Sequence, residues 1–287
     1  MQSKRSIGDV IEYLAGQVIH VSIQKPKPSF VDFYAEIEGN TFDWLPYAKQ
    51  TDHKLALLGY KAESMSLASM FAVTQLDAVA GMKVLDVCSA PGMKGLYLNK
   101  LVSRLDYYAN DLSAPRLARL IKLLKAHSVA ISAVTKYDAR FIDRAYELES
   151  FDRIIIDAPC SGEGVILGGN TRLLETWSPA KVKRLQQLQI GILKSSWKLL
   201  KPGGRLVYAT CTLNKNENER VIKKALGIDL RVQESPLTLI NSKSTDLESK
   251  HTIFRQLLKN GMSIRILPSE NSIGFYITVL EKNHEIE

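Results

Sequence analysis

At 287 residues, with 45% apolar and 24% charged side chains and no long polar or repetitive tract, the chain is large and apolar enough to bury a core and is not composed like a disordered one. No apolar run approaches the roughly 20 residues that span a bilayer, and 3 widely separated cysteines with 5 scattered histidines make neither a disulfide framework nor a zinc site, which points to a reducing compartment, the cytoplasm before the mitochondrion. The formal charge of +8 is uneven: residues 1–80 carry 7 basic and 9 acidic groups and residues 81–287 carry 31 and 21, a balance in the second part that suits a polyanionic partner.

Ile7, Val10, Ile11, Leu14 and Val18 follow helical spacing, and Asp9 and Glu12 between them argue against a secretory signal or transit peptide. The spacing predicts an ordinary packed helix. The rest of residues 1–60, punctuated by Pro26 and Pro28 and aromatic-containing from Phe30 to Tyr47, reads as a small helical or mixed appendage to a domain over 61–287.

From Lys83 onward, short apolar runs alternate with amphipathic stretches, as parallel strands and crossover helices do. Strands are expected over Lys83 to Val87, Leu105 to Asn110, Ile131 to Thr135, Phe151 to Ile156 and Arg205 to Ala209. Leu117, Leu120, Ile121 and Leu124 form the apolar stripe of a helix between the second and third. A later helix should stop at Lys201-Pro202-Gly203-Gly204. Ser263 to Leu267 and Phe275 to Leu280 look like an antiparallel edge pair joined by a polar turn, while Gly227 to Asn260 carries no clear strand signal. The expected fold class is α/β, a Rossmann-like, mostly parallel sheet with an antiparallel edge.

Four segments at expected strand ends carry chemistry. The run Asp86-Val87-Cys88-Ser89-Ala90-Pro91-Gly92-Met93-Lys94-Gly95 leaves an apolar strand and opens a helix, and small residues there let backbone amides approach a ligand. Asp111 ends the next strand, where a carboxylate can accept both ribose hydroxyls of a nucleoside cofactor, and Asp138 follows the third, near the adenine end. Each aspartate alone would be read as a helix cap, but the series favours a nucleoside site. The third segment is Asp157-Ala158-Pro159-Cys160-Ser161-Gly162-Glu163-Gly164 and the fourth Tyr208-Ala209-Thr210-Cys211-Thr212-Leu213. Free cysteines are usually buried as small hydrophobes, and Cys88 is read that way. Cys160 and Cys211 are not, because both sit where a cofactor loop and adjacent strand ends should meet.

These segments resemble the 5-methylcytosine RNA methyltransferases of the Nol1/Nop2/Sun family, including the bacterial Fmu-type ribosomal RNA enzymes. The resemblance runs from about Lys83 to Leu226 and returns at Arg265-Ile266-Leu267-Pro268 and Gly274-Phe275-Tyr276. Its most specific parts are Asp157 to Gly164 and Thr210 to Glu219. It implies S-adenosylmethionine as cofactor, held by Cys88, Ser89, Ala90, Pro91, Gly92, Met93, Lys94, Asp111, Asp138 and Asp157. It also implies Cys211 as nucleophile, Cys160 as the helper that releases product, and RNA as partner, ribosomal more than transfer RNA, with a ribosomal particle or separate RNA-binding protein supplying affinity. Met93 stands where glycine is usual, Gly95 where Thr or Ser is usual, Gly168-Gly169 where a basic pair is commoner and Ser269 where His is frequent.

The expected chemistry follows from the substrate. Carbon 5 of cytosine is a poor nucleophile, and thiolate addition at carbon 6 makes it enamine-like. A thiol with the ordinary pKa of about 8.5 is only a few per cent ionised at neutral pH, so basic or dipolar surroundings should assist. Asp157 could hold the amidine edge of the ring, and Cys160 assist loss of the carbon 5 proton. Two rivals are a DNA cytosine methyltransferase, in which the Pro-Cys thiol is the nucleophile, and a ribosome-assembly scaffold that keeps the fold for docking. Asn216-Glu217-Asn218-Glu219 and the intact cysteines and aspartates favour the RNA enzyme.

Overall fold

Alternating apolar positions at the middle of the chain feed two opposite faces of one sheet. In a computed structural model, which describes residues 5–17, 31–37, 40–47, 61–236, 262–268 and 273–283, the strands are β1 (Val31–Ile37), β2 (Asn40–Tyr47), β3 (Lys61–Ser66), β4 (Lys83–Asp86), β5 (Asp106–Asn110), β6 (Ala133–Thr135), β7 (Phe151–Asp157), β8 (Leu200–Thr210), β9 (Arg231–Pro236), β10 (Met262–Leu267) and β11 (Phe275–Glu281). The helices are α1 (Ile7–Ala15), α2 (Leu67–Thr74), α3 (Met93–Leu101), α4 (Ala114–Ala126), α5 (Glu163–Leu167), α6 (Pro179–Leu199) and α7 (Glu219–Leu226), with 3₁₀ segments at Ala139–Arg144 and Thr171–Glu175. The main sheet has the order β6-β5-β4-β7-β8-β11-β10-β9, and a second sheet has the order β2-β1-β3. The first five strands of the main sheet pair in parallel, and β11 runs antiparallel to both β8 and β10.

This is the expected Rossmann-like arrangement. Along β7, Ile155 enters the core shared with α2, α3 and α4, while Ile154 and Ile156 enter the core shared with α6 and α7. Val207 and Ala209 of β8 face the first core and Leu206 and Tyr208 the second. Both faces are covered, so the strands read as unbroken apolar runs. The chain winds from β4 to β6 in one direction and returns to β7 and β8 in the other. The crevice at the switch, at the carboxyl ends of β4 and β7, is where open sheets of this kind bind ligands.

Helix starts follow local chemistry. Ser6 and Asp9 form a reciprocal capping box on α1, and the Ser178 side chain accepts the Lys181 N–H at the start of α6, with Pro179 at its first position. Val10 and Leu14 of α1 pack against Leu167, Leu174, Trp177 and Leu213. The predicted helix therefore covers the segment that follows Cys211.

Three expectations need correction. The helix does stop just ahead of Lys201-Pro202-Gly203-Gly204, α6 ending at Leu199, but those four residues, expected to turn the chain, lie inside β8, where Gly203 donates to the Lys282 carbonyl (2.7 Å) and Gly204 accepts from the Lys282 N–H (3.0 Å). Arg231 to Pro236, which alternates too weakly to announce a strand, becomes one by pairing in parallel with β10. That pairing makes β9 the outermost strand, so the expected antiparallel pair forms but is not the sheet edge. Val18, the Pro26–Pro28 stretch, 237–261 and the turn containing Ser269 lie outside the described residues.

Candidate active site

Buried Asn110, the last residue of β5, ties three strand-end loops together. Its amide donates to the carbonyls of Val87 (3.0 Å) and Tyr137 (3.1 Å). Its oxygen accepts from the Thr135 hydroxyl (2.8 Å) and the Tyr137 N–H (3.0 Å). Its own carbonyl accepts from the N–H and hydroxyl of Ser89 (2.8 and 2.9 Å). The loop 87–92 is thus held before any ligand arrives. It ends at Gly92 with φ of 110°, where a Cβ would come within 3.2 Å of Leu120 and Leu123 of α4. Gly92 gives α3 no side-chain cap, so the first amides of that helix face the crevice with no intrahelical acceptor.

The aspartates ring this loop. Asp111, 4% exposed, accepts the Ser113 N–H (2.9 Å) and pairs with Arg116 (3.2 Å), whose guanidinium also bonds the Ala90 carbonyl. Asp138 caps the 3₁₀ segment through the Arg140 N–H (3.0 Å) and is bonded by the Arg140 guanidinium, which holds its carboxyl below the usual range. Asp157 ends β7 and forms an ion pair with Lys94, bringing the first and third motifs into contact. Asp86, 1% exposed, is pushed up to about 7 by burial; Tyr107 donates to one of its oxygens (3.1 Å) and the other, Oδ1, has no hydrogen-bond partner among the described residues. An orphaned buried acceptor beside a helix start suits a ligand that brings its own N–H donors and an anionic end.

The two candidate thiols converge. β7 and β8 are neighbours in register, and the Sγ atoms of Cys160 and Cys211 lie 2.9 Å apart. The Cys160 thiol is pushed up by its hydrogen bond with Cys211 and then by burial. Backbone bonds stitch the two loops, Ala158 N–H to the Ala209 carbonyl (2.9 Å) and Gly164 N–H to the Cys211 carbonyl (3.1 Å). Gly164 has no room for a side chain, since a Cβ would stand 1.9 Å from the Gly274 carbonyl oxygen. Cys88 is half-buried, packs against the second core, and has its thiol pushed up by burial, in keeping with its reading as a small hydrophobe.

Several residues without an assigned role in the sequence reading shape this site. Asn218 accepts from the Thr210 hydroxyl (2.7 Å) and donates to the Thr212 carbonyl (3.1 Å), bracketing Cys211. Arg265, 1% exposed, donates to the Leu213 carbonyl (3.0 Å) and pairs with Glu219. Glu163 and Glu217, both fully buried, meet at Ser161. The signal for them was the Glu-Asn-Glu motif and the Glu in Ser-Gly-Glu-Gly, but burial of those carboxylates is invisible in sequence.

A family model described as 16S rRNA methyltransferase RsmB/F matches residues 73–281. The ribosomal RNA small subunit methyltransferase F of Escherichia coli K12 is 36% identical over 189 residues, covering 64% of this chain and 38% of that protein, and the same-named Shigella sonnei protein matches equally. The chain spans 38% of the length of these curated relatives. Among solved structures, PH0851 superposes over 97% of this chain and 57% of its own with a TM-score of 0.65 and 27% identity. A methyltransferase homologue from Pyrococcus horikoshii covers 96% of this chain and 83% of its own with a TM-score of 0.59 and 26% identity. NSun6 from P. horikoshii, solved with SFG, shares the fold with a TM-score of 0.64 at 24% identity, over 86% of this chain and 62% of its own. The uncapped α3 start, buried Asp111 and orphaned Asp86 oxygen suit the carboxylate, ribose and ammonium groups of S-adenosylmethionine, the cofactor that the resemblance implies. With the match extending over most of the fold from α2 to β11, the chain belongs to the 16S rRNA methyltransferase RsmB/F family.

Proposed function

We propose that this chain methylates carbon 5 of a cytosine in small-subunit ribosomal RNA through a covalent cysteine adduct. The observation that carries the proposal is the convergence of Cys160 and Cys211 at one point beside Asp157. The cofactor supplies an electrophilic methyl group. Residues 88 to 94, Asp111, Asp138 and Asp157 are assigned to holding it, with Asp111 on the ribose, Asp138 toward the adenine and the α3 amides on the carboxylate.

The Cys211 sulfur adds to carbon 6, and the electron pair released at carbon 5 takes the methyl group. Asp157, already paired with Lys94, accepts from the amidine edge of the base and stabilises the protonated adduct. Cys160, at bonding distance from the attacking sulfur, takes the carbon 5 proton or positions the base that does so. The carbon 6–sulfur bond then breaks and Cys211 leaves as thiolate. Residues 61–287 are assigned as the catalytic domain and 1–60 as its appendage, working in a reducing compartment, the cytoplasm.

The two cysteines make opposite demands on the adduct. Cys160→Ala is expected to methylate once and stay bonded, giving a protein–RNA band that survives denaturation. Cys211→Ala should give no band and no product, and the double variant should lose the band. Exchanged phenotypes would assign the attack to Cys160 instead, and no band from either variant would leave the docking scaffold as the better reading. Sequencing the trapped RNA identifies the cytosine; a transfer RNA site would overturn the ribosomal assignment.

A further inference from the structure

Two acids buried beside the thiols have no part in the chemistry above. Ser161, which follows Cys160, has one hydroxyl hydrogen, yet its Oγ is bonded both to Glu163 Oε2 (2.5 Å) and to Glu217 Oε1. The other carboxylate oxygens are filled: Glu163 Oε1 accepts from Trp177 Nε1 and Asn214 Nδ2, both at 3.1 Å. Glu217 Oε2 accepts from the Ser161 N–H (3.0 Å) and Gln189 Nε2 (2.8 Å). One hydroxyl proton cannot serve two carboxylates, so the trio closes only if one acid carries a proton. Burial and the charge of Glu163 push Glu217 up to about 8, which places the proton there.

The same acid brackets Cys160. Gln189 bonds the Pro159 carbonyl (2.8 Å) as well as Glu217, and Glu217 holds the Ser161 N–H, so the residues on either side of the thiol are tied to one carboxyl group. We propose that Glu217, in its neutral acid form, is the positioning residue of Cys160, and that the Glu217–Ser161–Glu163 trio works only while one of its two acids carries a proton beside that of the Ser161 hydroxyl. The titratable groups that face it or Cys160 are Glu163 from α5, Asp157 at the end of β7 and Cys160 itself after it, and Tyr208 from β8 and Cys211 after it, all acids or thiols. Loss of the proton adds a buried negative charge among them and leaves the Ser161 hydroxyl with two acceptors to serve. Cys160 is then released from its pose, and its thiol is pushed further up.

The proposal rests on the assignment of Cys160 to product release, so its test uses two independent readouts. Stability of the full chain is measured against pH by urea denaturation for wild type, Glu217→Gln and Glu217→Ala. Because the folded pKa lies above the ordinary carboxylate value, wild type loses stability relative to Glu217→Gln from about pH 4.5 to about 8, and the difference is flat above that. The second readout is turnover and covalent adduct on a small-subunit ribosomal RNA transcript with S-adenosylmethionine. Glu217→Ala lowers turnover on the order of tenfold, the equivalent of one unpaired buried donor, and accumulates adduct at every pH. Glu217→Gln, whose amide reproduces the neutral acid, restores turnover to that order of wild type and abolishes the alkaline accumulation of adduct seen in wild type. A stability difference independent of pH overturns the protonated acid, whatever the chemistry; product release in Glu217→Ala as fast as in wild type, or a Glu217→Gln profile identical to wild type, overturns the positioning role. If Glu217→Ala does not fold, Glu217→Gln decides both. Absence of adduct from Cys160→Ala in the same assay overturns the release assignment itself and leaves the pH-linked stability to be read alone.

Discussion

Gly95 shows how a single missing side chain is decided by its neighbour. It stands where relatives are expected to carry a hydroxyl, and a Cβ built there would lie 2.1 Å from the Tyr107 hydroxyl oxygen. That hydroxyl reaches Asp86, so Tyr107 occupies the space from the adjacent strand and bonds the acid itself. Alanine at 95 should gain roughly 1 kcal/mol of helix propensity and lose about 1–3 kcal/mol to overpacking. The net expectation for Gly95→Ala is a lower urea midpoint than wild type; an unchanged or raised midpoint would mean that the Tyr107 ring yields freely. Asp111 was readable as a candidate at this scale only as one of a series of strand-end carboxylates, each of which alone would be read as a helix cap. Asn110 was not, because its value lies in four bonds to two other segments, at Val87 and at Thr135 to Tyr137, which one position in a sequence does not display.

At the scale of elements, α1 reaches the site from the far end of the chain. Its apolar stripe was plain in the spacing of Val10 and Leu14, but the surface it covers is made by α5, Trp177 and Leu213. Tyr13 of α1 and Gln17, just past its C-cap, add two bonds to the segment after Cys211: Lys215 N–H to Gln17 (2.9 Å) and Asn216 to the Tyr13 hydroxyl (3.1 Å). Leu14→Ala should cost about 2–5 kcal/mol, as for other fully buried leucines. It should also speed amide hydrogen exchange at 213–216 more than in β4 or β5. Uniform loss of protection across the chain would instead make α1 a general stabiliser with no particular hold on the Cys211 loop. Arg265 of β10 grips the same loop through Leu213, so two elements distant in sequence fix the one segment that follows Cys211.

For the whole molecule, the basic excess of 81–287 predicts electrostatic RNA binding. Log affinity for a single strand should fall against log salt with a slope of about −0.7 per phosphate contacted, measured by filter binding from low to physiological salt; affinity indifferent to salt would contradict it. At this scale the alternation of apolar runs and amphipathic stretches sufficed for the α/β class and its central strands, since each strand of a doubly covered sheet must be apolar on both faces. The motif pairs sufficed to nominate Cys160 and Cys211, because both thiols follow strands expected to be adjacent and to end beside a cofactor loop. Local sequence could not show that β9 exists, since Arg231 to Pro236 becomes a strand only through partners on β10. Nor could it show that two acids 54 positions apart meet at Ser161, where one of them must carry a proton. The division has one physical cause: periodicity and turn chemistry act between near neighbours and are written in order along the chain, whereas burial, convergence and retained protons exist only where distant segments are brought within bonding distance.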